Sequence, residues 1–337
     1  MMVPMDKSLK TARVVEEHKT QYVIRSADKD YTAVIRGKIL LNGKKDFPKV
    51  GDYVEFTELG NDQAVVESIL PRTTQIIRKA AIGNTPQVIV VNVDIMFVVM
   101  GLDGDYNIRR LERYLLLAEQ SNVKPIIVLN KMDAVSDVQQ FIDEVSSIAP
   151  NTPIHAVSAT TKQNMDILKT YFGPETTAVM LGSSGAGKST MMNWFLGFDK
   201  QSTQEVREDD GKGRHTTTYR ELFKLPEGGY LIDTPGMRTL AIFTTGDPTA
   251  DVFGDVEALL KECKYADCDH IKSRGCAIQN AIYDGKLDPK HWASYCKLKG
   301  EQEYLKTKIG VNSNAEHKQK VRAVQKQNKR YLNSEQE

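Results

Sequence analysis

The chain has 337 residues, 40% hydrophobic and 26% charged, with a net charge of +1. Those are the proportions of an ordinary globular protein, and at 100–200 residues per domain they indicate about two or three domains. They exclude a disordered, collagen-like or disulfide-stapled chain, and no apolar run approaches the roughly 18 residues of a membrane-spanning helix. The opening MMVPMDKSLK has no apolar core of signal-peptide length, so the expectations are a cytoplasmic location, no membrane association and four reduced cysteines.

Up to about Pro71 the chain reads as five short strands at 13–15, Tyr22–Arg25, Tyr31–Arg36, Tyr53–Phe56 and Ala64–Ile69. Gly37, Asn42-Gly43, Gly51-Asp52 and Gly60-Asn61 separate them, as turn residues do. Five strands in this length predict a small barrel of OB-fold size over residues 1–75. Positions 1–75 hold 12 basic and 11 acidic residues, so charge alone does not separate an RNA-binding barrel from one that merely positions its neighbours.

From about Gln87 apolar strands alternate with helical periodicity. Strands are expected at Asp94–Met100, Pro125–Leu129, Ile154–Val157, Thr177–Leu181 and Tyr230–Ile232. Ile108, Leu111, Leu115 and Ala118 fall at helical spacing, as do Val138, Phe141, Ile142, Val145 and Ile148, and a further helix runs from Lys188 to Gly197. Alternating units of this kind build a parallel sheet covered on both faces. Beyond Gly246 the chain bears its cysteines and then becomes helical, with Asp288-Pro289 as a helix start. Residues 286–333 carry 12 Lys and Arg against 4 Asp and Glu, leaving 33 against 40 elsewhere. A tail of net +8 on a body of net −7 points to a polyanionic partner, nucleic acid first.

The strongest motif is Gly182-Ser183-Ser184-Gly185-Ala186-Gly187-Lys188-Ser189, followed by Thr190. It joins an apolar strand to a helix, the setting in which glycine-rich backbone and a helix N-terminus surround phosphates. Lys188 would neutralise charge between the β- and γ-phosphates, and the Ser189 hydroxyl would hold Mg²⁺. Asn130-Lys131-Met132-Asp133 stands where another strand ends. The Asp133 carboxylate can accept the two donors that guanine offers and adenine lacks. Lys131 would cover the base with its stem, Asn130 would tie loops together, and Ser158-Ala159 supplies a second base-contacting loop.

Asp233-Thr234-Pro235-Gly236 suits contact with Mg²⁺ through water and with the γ-phosphate through the Gly236 amide. Between it and the phosphate loop lies Gly213-Arg214-His215-Thr216-Thr217-Thr218, the place for a switch threonine on Mg²⁺. Three successive threonines leave its identity open, and Thr217 is carried forward. Met237 occupies the position where Ras-like enzymes place a water-orienting glutamine. Slow unassisted turnover is therefore expected, with His215 as the intrinsic candidate to position water.

Cys263, Cys268, His270 and Cys276 form C-x4-C-x-H-x5-C. Four such ligands within fourteen residues suit one tetrahedral, structural Zn²⁺. Cys296 competes with His270 for the fourth position; if it is not a ligand, it is a helix-buried thiol near Trp292 and Tyr295. Lys318, Lys320, Arg322, Lys326, Lys329 and Arg330 follow; alone they would be a solvated helix face.

The motifs run N-K-x-D, S-A, phosphate loop, threonine switch, D-T-P-G, whereas Ras-like GTPases begin with the phosphate loop. Over residues 87–243 the chain thus resembles a circularly permuted GTPase. With a barrel before, a cysteine cluster after, and Val50-Gly51-Asp52-Tyr53-Val54 within the barrel, nearly the whole chain resembles the RsgA (YjeQ) family of small ribosomal subunit biogenesis GTPases. The resemblance implies a multidomain protein: an OB-like β-barrel at 1–75, an α/β permuted GTPase domain at 76–245, and a mainly helical zinc-binding domain with a basic tail at 246–337. It also favours His270 as the fourth zinc ligand and implies hydrolysis of GTP to GDP stimulated by the small subunit and its rRNA. A monomer is expected. The competing reading is a GTP-sensing, RNA-binding scaffold with negligible hydrolysis.

Overall fold

The computed structural model describes residues 9–18, 21–36, 39, 47–79, 86–198, 220–234, 250–265, 268–271 and 273–300. They fall into two compact units, one with the N-terminal strands and the α/β segment, the other with 250–300.

The barrel strands are β1 (Lys10–Glu17), β2 (Tyr22–Ser26), β3 (Lys29–Ile35), β4 (Tyr53–Gly60) and β5 (Gln63–Ile69). Period-2 alternation turns Ala33, Val54, Phe56 and Val66 inward, where all are fully buried. Tyr31 and Phe56 meet with ring centroids 5.1 Å apart in that core. Two hairpin turns place both central residues at positive φ: Ala27 and Asp28 at 47° and 64°, Asn61 and Asp62 at 51° and 56°. Such turns match the right-handed strand twist and so fix the register. β3 pairs parallel with β5, while β1 pairs antiparallel with both β2 and β4. The second of those pairings closes the barrel.

A two-stranded ribbon, β6 (Gln75–Lys79) and β7 (Pro86–Val91), leads to the α/β sheet. Its strands are β8 (Ile95–Gly101), β9 (Lys124–Asn130), β10 (Ile154–Ala156), β11 (Thr177–Leu181), β12 (Glu221–Lys224) and β13 (Tyr230–Asp233). The spatial order is β10-β9-β8-β11-β13-β12, all parallel except β12. Helices α1 (Ile108–Gln120), α2 (Gln139–Ile148) and α3 (Lys188–Leu196) connect them. β8 and β11 are buried along their whole length, as the sheet centre demands.

Barrel and sheet are joined through backbone. β1 pairs with β12, making one continuous eleven-stranded sheet. Gly51, at φ +97°, sits so close to β7 that a Cβ there would lie 2.2 Å from the Val91 oxygen. Asn92 donates to the Gly51 carbonyl at 3.0 Å and accepts the Thr73 amide at 2.9 Å. The fully buried Asp52 takes a two-pronged bond from Arg72, at 2.8 and 2.7 Å, and the Lys49 amide at 2.7 Å. Arg13, on β1, reaches the Thr177 hydroxyl at 2.6 Å while lying over the rings of Tyr53 and Tyr230. These contacts give the Val50–Val54 motif its physical basis.

The second unit contains α4 (Ala250–Lys261), α5 (Ala277–Tyr283) and a helix, α6, over 289–300. Phe253 stacks on His291 at 4.8 Å and meets Tyr295 edge-on, giving this small unit an aromatic core. Cys296 differs from the sequence expectation: it is exposed. α6 buries His291, Tyr295 and Leu298, and at 100° per residue position 296 turns away from that stripe.

Gly51→Ala should lower stability by about 2–4 kcal/mol, combining a positive φ with overpacking against Val91. Gly60→Ala, at φ +91° but with nothing within 4 Å of its Cβ position, should lose only about 1–2 kcal/mol. Urea denaturation of the two variants checks the difference.

Candidate functional site: a nucleotide pocket and a separate metal centre

In an open parallel sheet, ligands bind beyond the carboxyl ends of the strands. At that edge β8 ends at Gly101, β9 at Asn130, β10 at Ala156, β11 at Leu181 and β13 at Asp233. Four of the motifs read from sequence therefore emerge side by side.

The loop after β11 begins at Gly182 and leads into α3, with Gly187 at φ +95° as the residue before the first turn. A Cβ on Gly187 would lie 2.0 Å from the Asn130 amide nitrogen, so glycine is required by both conformation and space. Lys188 donates from its ammonium to the Gly182 carbonyl at 2.8 Å and also to that of Ser183. Ser184 and Gly185 are exposed at the tip of the loop, Ala186 is buried, and Ser189 and Thr190 are half-buried on the first turn of α3.

Asn130 is 2% exposed. Its amide donates to the Ala186 carbonyl at 2.8 Å, and its oxygen accepts the Ala159 N–H at 2.9 Å. One side chain thus joins the phosphate loop, the N-K-x-D segment and the S-A loop. Ser158 is fully buried, its amide bonded to the Gln163 carbonyl and its hydroxyl accepting the Thr161 amide. Lys131 takes the left-handed conformation at φ +64° and starts a short 3-10 turn, Met132–Ala134, on which Asp133 is exposed.

Asp233 closes β13 beside the phosphate-loop strand, with Thr234 buried just after it. His215, Thr217, Gly236 and Met237, like the basic residues from Lys318 onward, lie outside the described residues.

Sequence reading overlooked the loop between β8 and α1. There Asp103 meets the Lys131 ammonium at 2.5 Å, and Asp105 accepts the Ser183 hydroxyl and bonds Arg110 at 2.7 Å. The available signal was two carboxylates immediately after a buried strand at the ligand-binding edge.

The candidate metal cluster belongs to the second unit. The ligand atoms of Cys263, Cys268, His270 and Cys276 all lie within 4.8 Å of one another. His270 Nδ1 is 3.6 Å from the Cys263 sulfur and 3.7 Å from that of Cys276. Tetrahedral zinc with sulfur ligands at about 2.3 Å needs ligand separations of that order, so the four fit such an ion. The surroundings hold the ligands in place: Gln279 donates to the His270 carbonyl at 2.6 Å and Trp292 meets the imidazole edge-on. Asp269 accepts the amides of Ile271 and Ser273, curling the loop between Cys268 and Cys276. Cys296 is no member of this group.

The RsgA GTPase family model matches residues 69–243. The small ribosomal subunit biogenesis GTPase RsgA 1 of Oceanobacillus iheyensis is 39% identical over 95% of this chain and 92% of its own. The corresponding RsgA of Opitutus terrae is 41% identical over 88% and 85%. Among solved structures, YjeQ from Thermotoga maritima aligns with a TM-score of 0.63 at 25% identity, covering 88% of this chain and 99% of that one. YloQ, described as a circularly permuted GTPase, aligns at 0.59 and 23% identity, covering 90% and 98%, and shares the fold.

Asn130→Ala strands a buried N–H and a buried carbonyl, each worth about 1–3 kcal/mol when unpaired. GTP affinity should fall at least about tenfold, since each 1.4 kcal/mol is a factor of ten. Nucleotide titration, with a melting curve to confirm folding, checks it.

Proposed function

The chain belongs to the RsgA GTPase family, and from that membership we propose that it hydrolyses GTP to GDP and phosphate in the biogenesis of the small ribosomal subunit. The observation that carries the reading is the Asn130 carboxamide, which holds phosphate loop and base-reading loops in one cluster at the ligand edge of the sheet.

In this reading Asp133, Ser158 and Ala159 face guanine, and Lys131 covers the base. Residues 182–190 surround the phosphates, with Lys188 placed to neutralise charge as the terminal phosphoryl group departs. Asp233 would serve the Mg²⁺ through water, and the Gly236 amide would serve the γ-phosphate. Ser189 and Thr217 would hold Mg²⁺, which would supply positive charge to neutralise the phosphates. His215 orients water, and the non-polar Met237 leaves unassisted turnover slow. Loss of the γ-phosphate would loosen contacts at Asp233-Thr234-Pro235-Gly236, from which only residues 237–262 lead to the metal centre.

Cys263, Cys268, His270 and Cys276 would hold one zinc ion. Three thiolates and an imidazole would fill its coordination and leave no position for a reacting water, so its role would be structural. The partners are GTP, GDP and the small ribosomal subunit with its rRNA, contacted by the basic tail through phosphates. In this reading the protein acts in the cytoplasm and as a monomer. Among the described residues no helix is long and apolar enough to cross a membrane. The scaffold with negligible hydrolysis is the weaker reading, since Lys188, Ser189 and Asp233 are all present.

GTP and ATP turnover with small subunits, with large subunits and alone is the deciding experiment. GTP-selective hydrolysis accelerated only by small subunits is expected; GTP binding without acceleration returns the scaffold. Asp133→Asn should lose guanine preference by at least about tenfold, because an amide presents a donor where guanine needs an acceptor. Metal analysis should find one zinc per chain, and chelation should unfold the second unit before the first.

A further inference from the structure

We propose that the loop between β8 and α1 is a third arm of the nucleotide site, in which Asp103 positions Lys131 over the guanine base and Asp105 positions Ser183 in the phosphate loop. This deepens the reading above and rests on its assignment of Lys131 to the base.

The argument begins with the place of the loop. It leaves β8 at Gly101, between the strands that deliver the phosphate loop and N-K-x-D, since β8 pairs with both β11 and β9. The Leu102 amide donates to the Asn130 carbonyl at 2.9 Å, anchoring the start of the loop to the base-reading segment. Its far end is anchored by Asn107, which caps α1 by accepting the Arg110 amide at 3.0 Å. Tyr106 stacks edge-on against Phe141 of α2 and bonds Glu144 at 2.7 Å. A segment fixed in this way can hold charged side chains in register.

Two carboxylates lie on it with different tasks. Asp103 accepts from Lys131 at 2.5 Å on one oxygen and from the Asp105 amide at 3.2 Å on the other. Burial works against its ionisation, but the Lys131 ammonium and the Asp105 amide outweigh this and hold its carboxyl below the usual range. The ammonium is thereby fixed at its tip. A lysine stem tethered at its tip loses less freedom when a base slides beneath it than one free in solvent. Asp105 shares its carboxylate between Arg110 and the Ser183 hydroxyl. The same short loop therefore holds one group at the base end of the site and one at the phosphate end.

Both aspartates are positioning residues, acting through Lys131 and Ser183. The test is a double-mutant cycle on the full chain, read as GTP affinity and as the release rate of fluorescently labelled GDP. Asp103→Asn should weaken GTP and GDP by the same factor, about two- to fivefold for a partly exposed ion pair. In a Lys131→Met background it should have no further effect, and Asp103→Glu, which keeps the charge, should recover most of the loss. Asp105→Asn should couple in the same way to Ser183→Ala and not to Lys131→Met. The Asp103 side chain is 38% exposed, so its variants should fold, and melting curves verify this. Unchanged affinity in Asp103→Asn, or an equal loss in both backgrounds, overturns the proposal while leaving the function above intact. Guanine-nucleotide binding that survives Lys131→Ala unaltered, with the stem removed as well as the charge, overturns the base-covering assignment and the proposal together.

Discussion

The nucleotide-site architecture depends on one buried carboxamide. Asn130 stands buried at the end of a strand, and its donor and acceptor are both committed to backbone of other loops. The constraint propagates outward. Because the amide occupies the space beside Gly187, the phosphate loop has no room for a side chain there, and α3 starts from a left-handed residue. Because the oxygen is taken by the Ala159 N–H, the loop after β10 approaches close enough for Ser158 to be fully enclosed. The phosphate loop, the N-K-x-D segment and the S-A loop are thus tied together by one small piece of polar packing, which low local dielectric makes strong when complete and damaging when broken.

Much of this was readable in the chain alone, for identifiable reasons. The phosphate loop and N-K-x-D are legible because their chemistry demands particular residues at strand ends, and apolar strands announce those ends. The cysteine and histidine spacing is legible because a metal needs donors close together in a short segment. The five barrel strands were also found, although β1 extends beyond 13–15 in both directions: its polar ends are strand because β2 and β4 pair with them. β12 escaped notice because Glu221–Lys224 is too short to show a period. β6 and β7 escaped because only their mutual pairing makes them strands.

Side-chain relationships across long sequence distances were the least legible. Nothing near Arg13 announces that Tyr230 and Thr177 will surround it, and Asp103 and Asp105 read as ordinary loop acids until Lys131 and Ser183 arrive from elsewhere. Cys296 shows the complementary error: sequence proximity to Trp292 and Tyr295 suggested burial, whereas α6 turns His291, Tyr295 and Leu298 inward and leaves the thiol exposed. Proximity along a helix and proximity in space differ by a rotation, and only the tertiary core says which face is inward.

The pairing of β1 with β12 has a consequence for how such a protein can be divided. Without the barrel, β12 would end the α/β sheet with unpaired amides and carbonyls, an open template for another strand. The first unit is therefore not two independent modules on a string. A GTPase sheet cut away from its barrel would be prone to self-association, so inheritance as a whole cassette is favoured over exchange of the barrel alone. The added domain is, in this respect, the lid on a surface that would otherwise stick to its own kind.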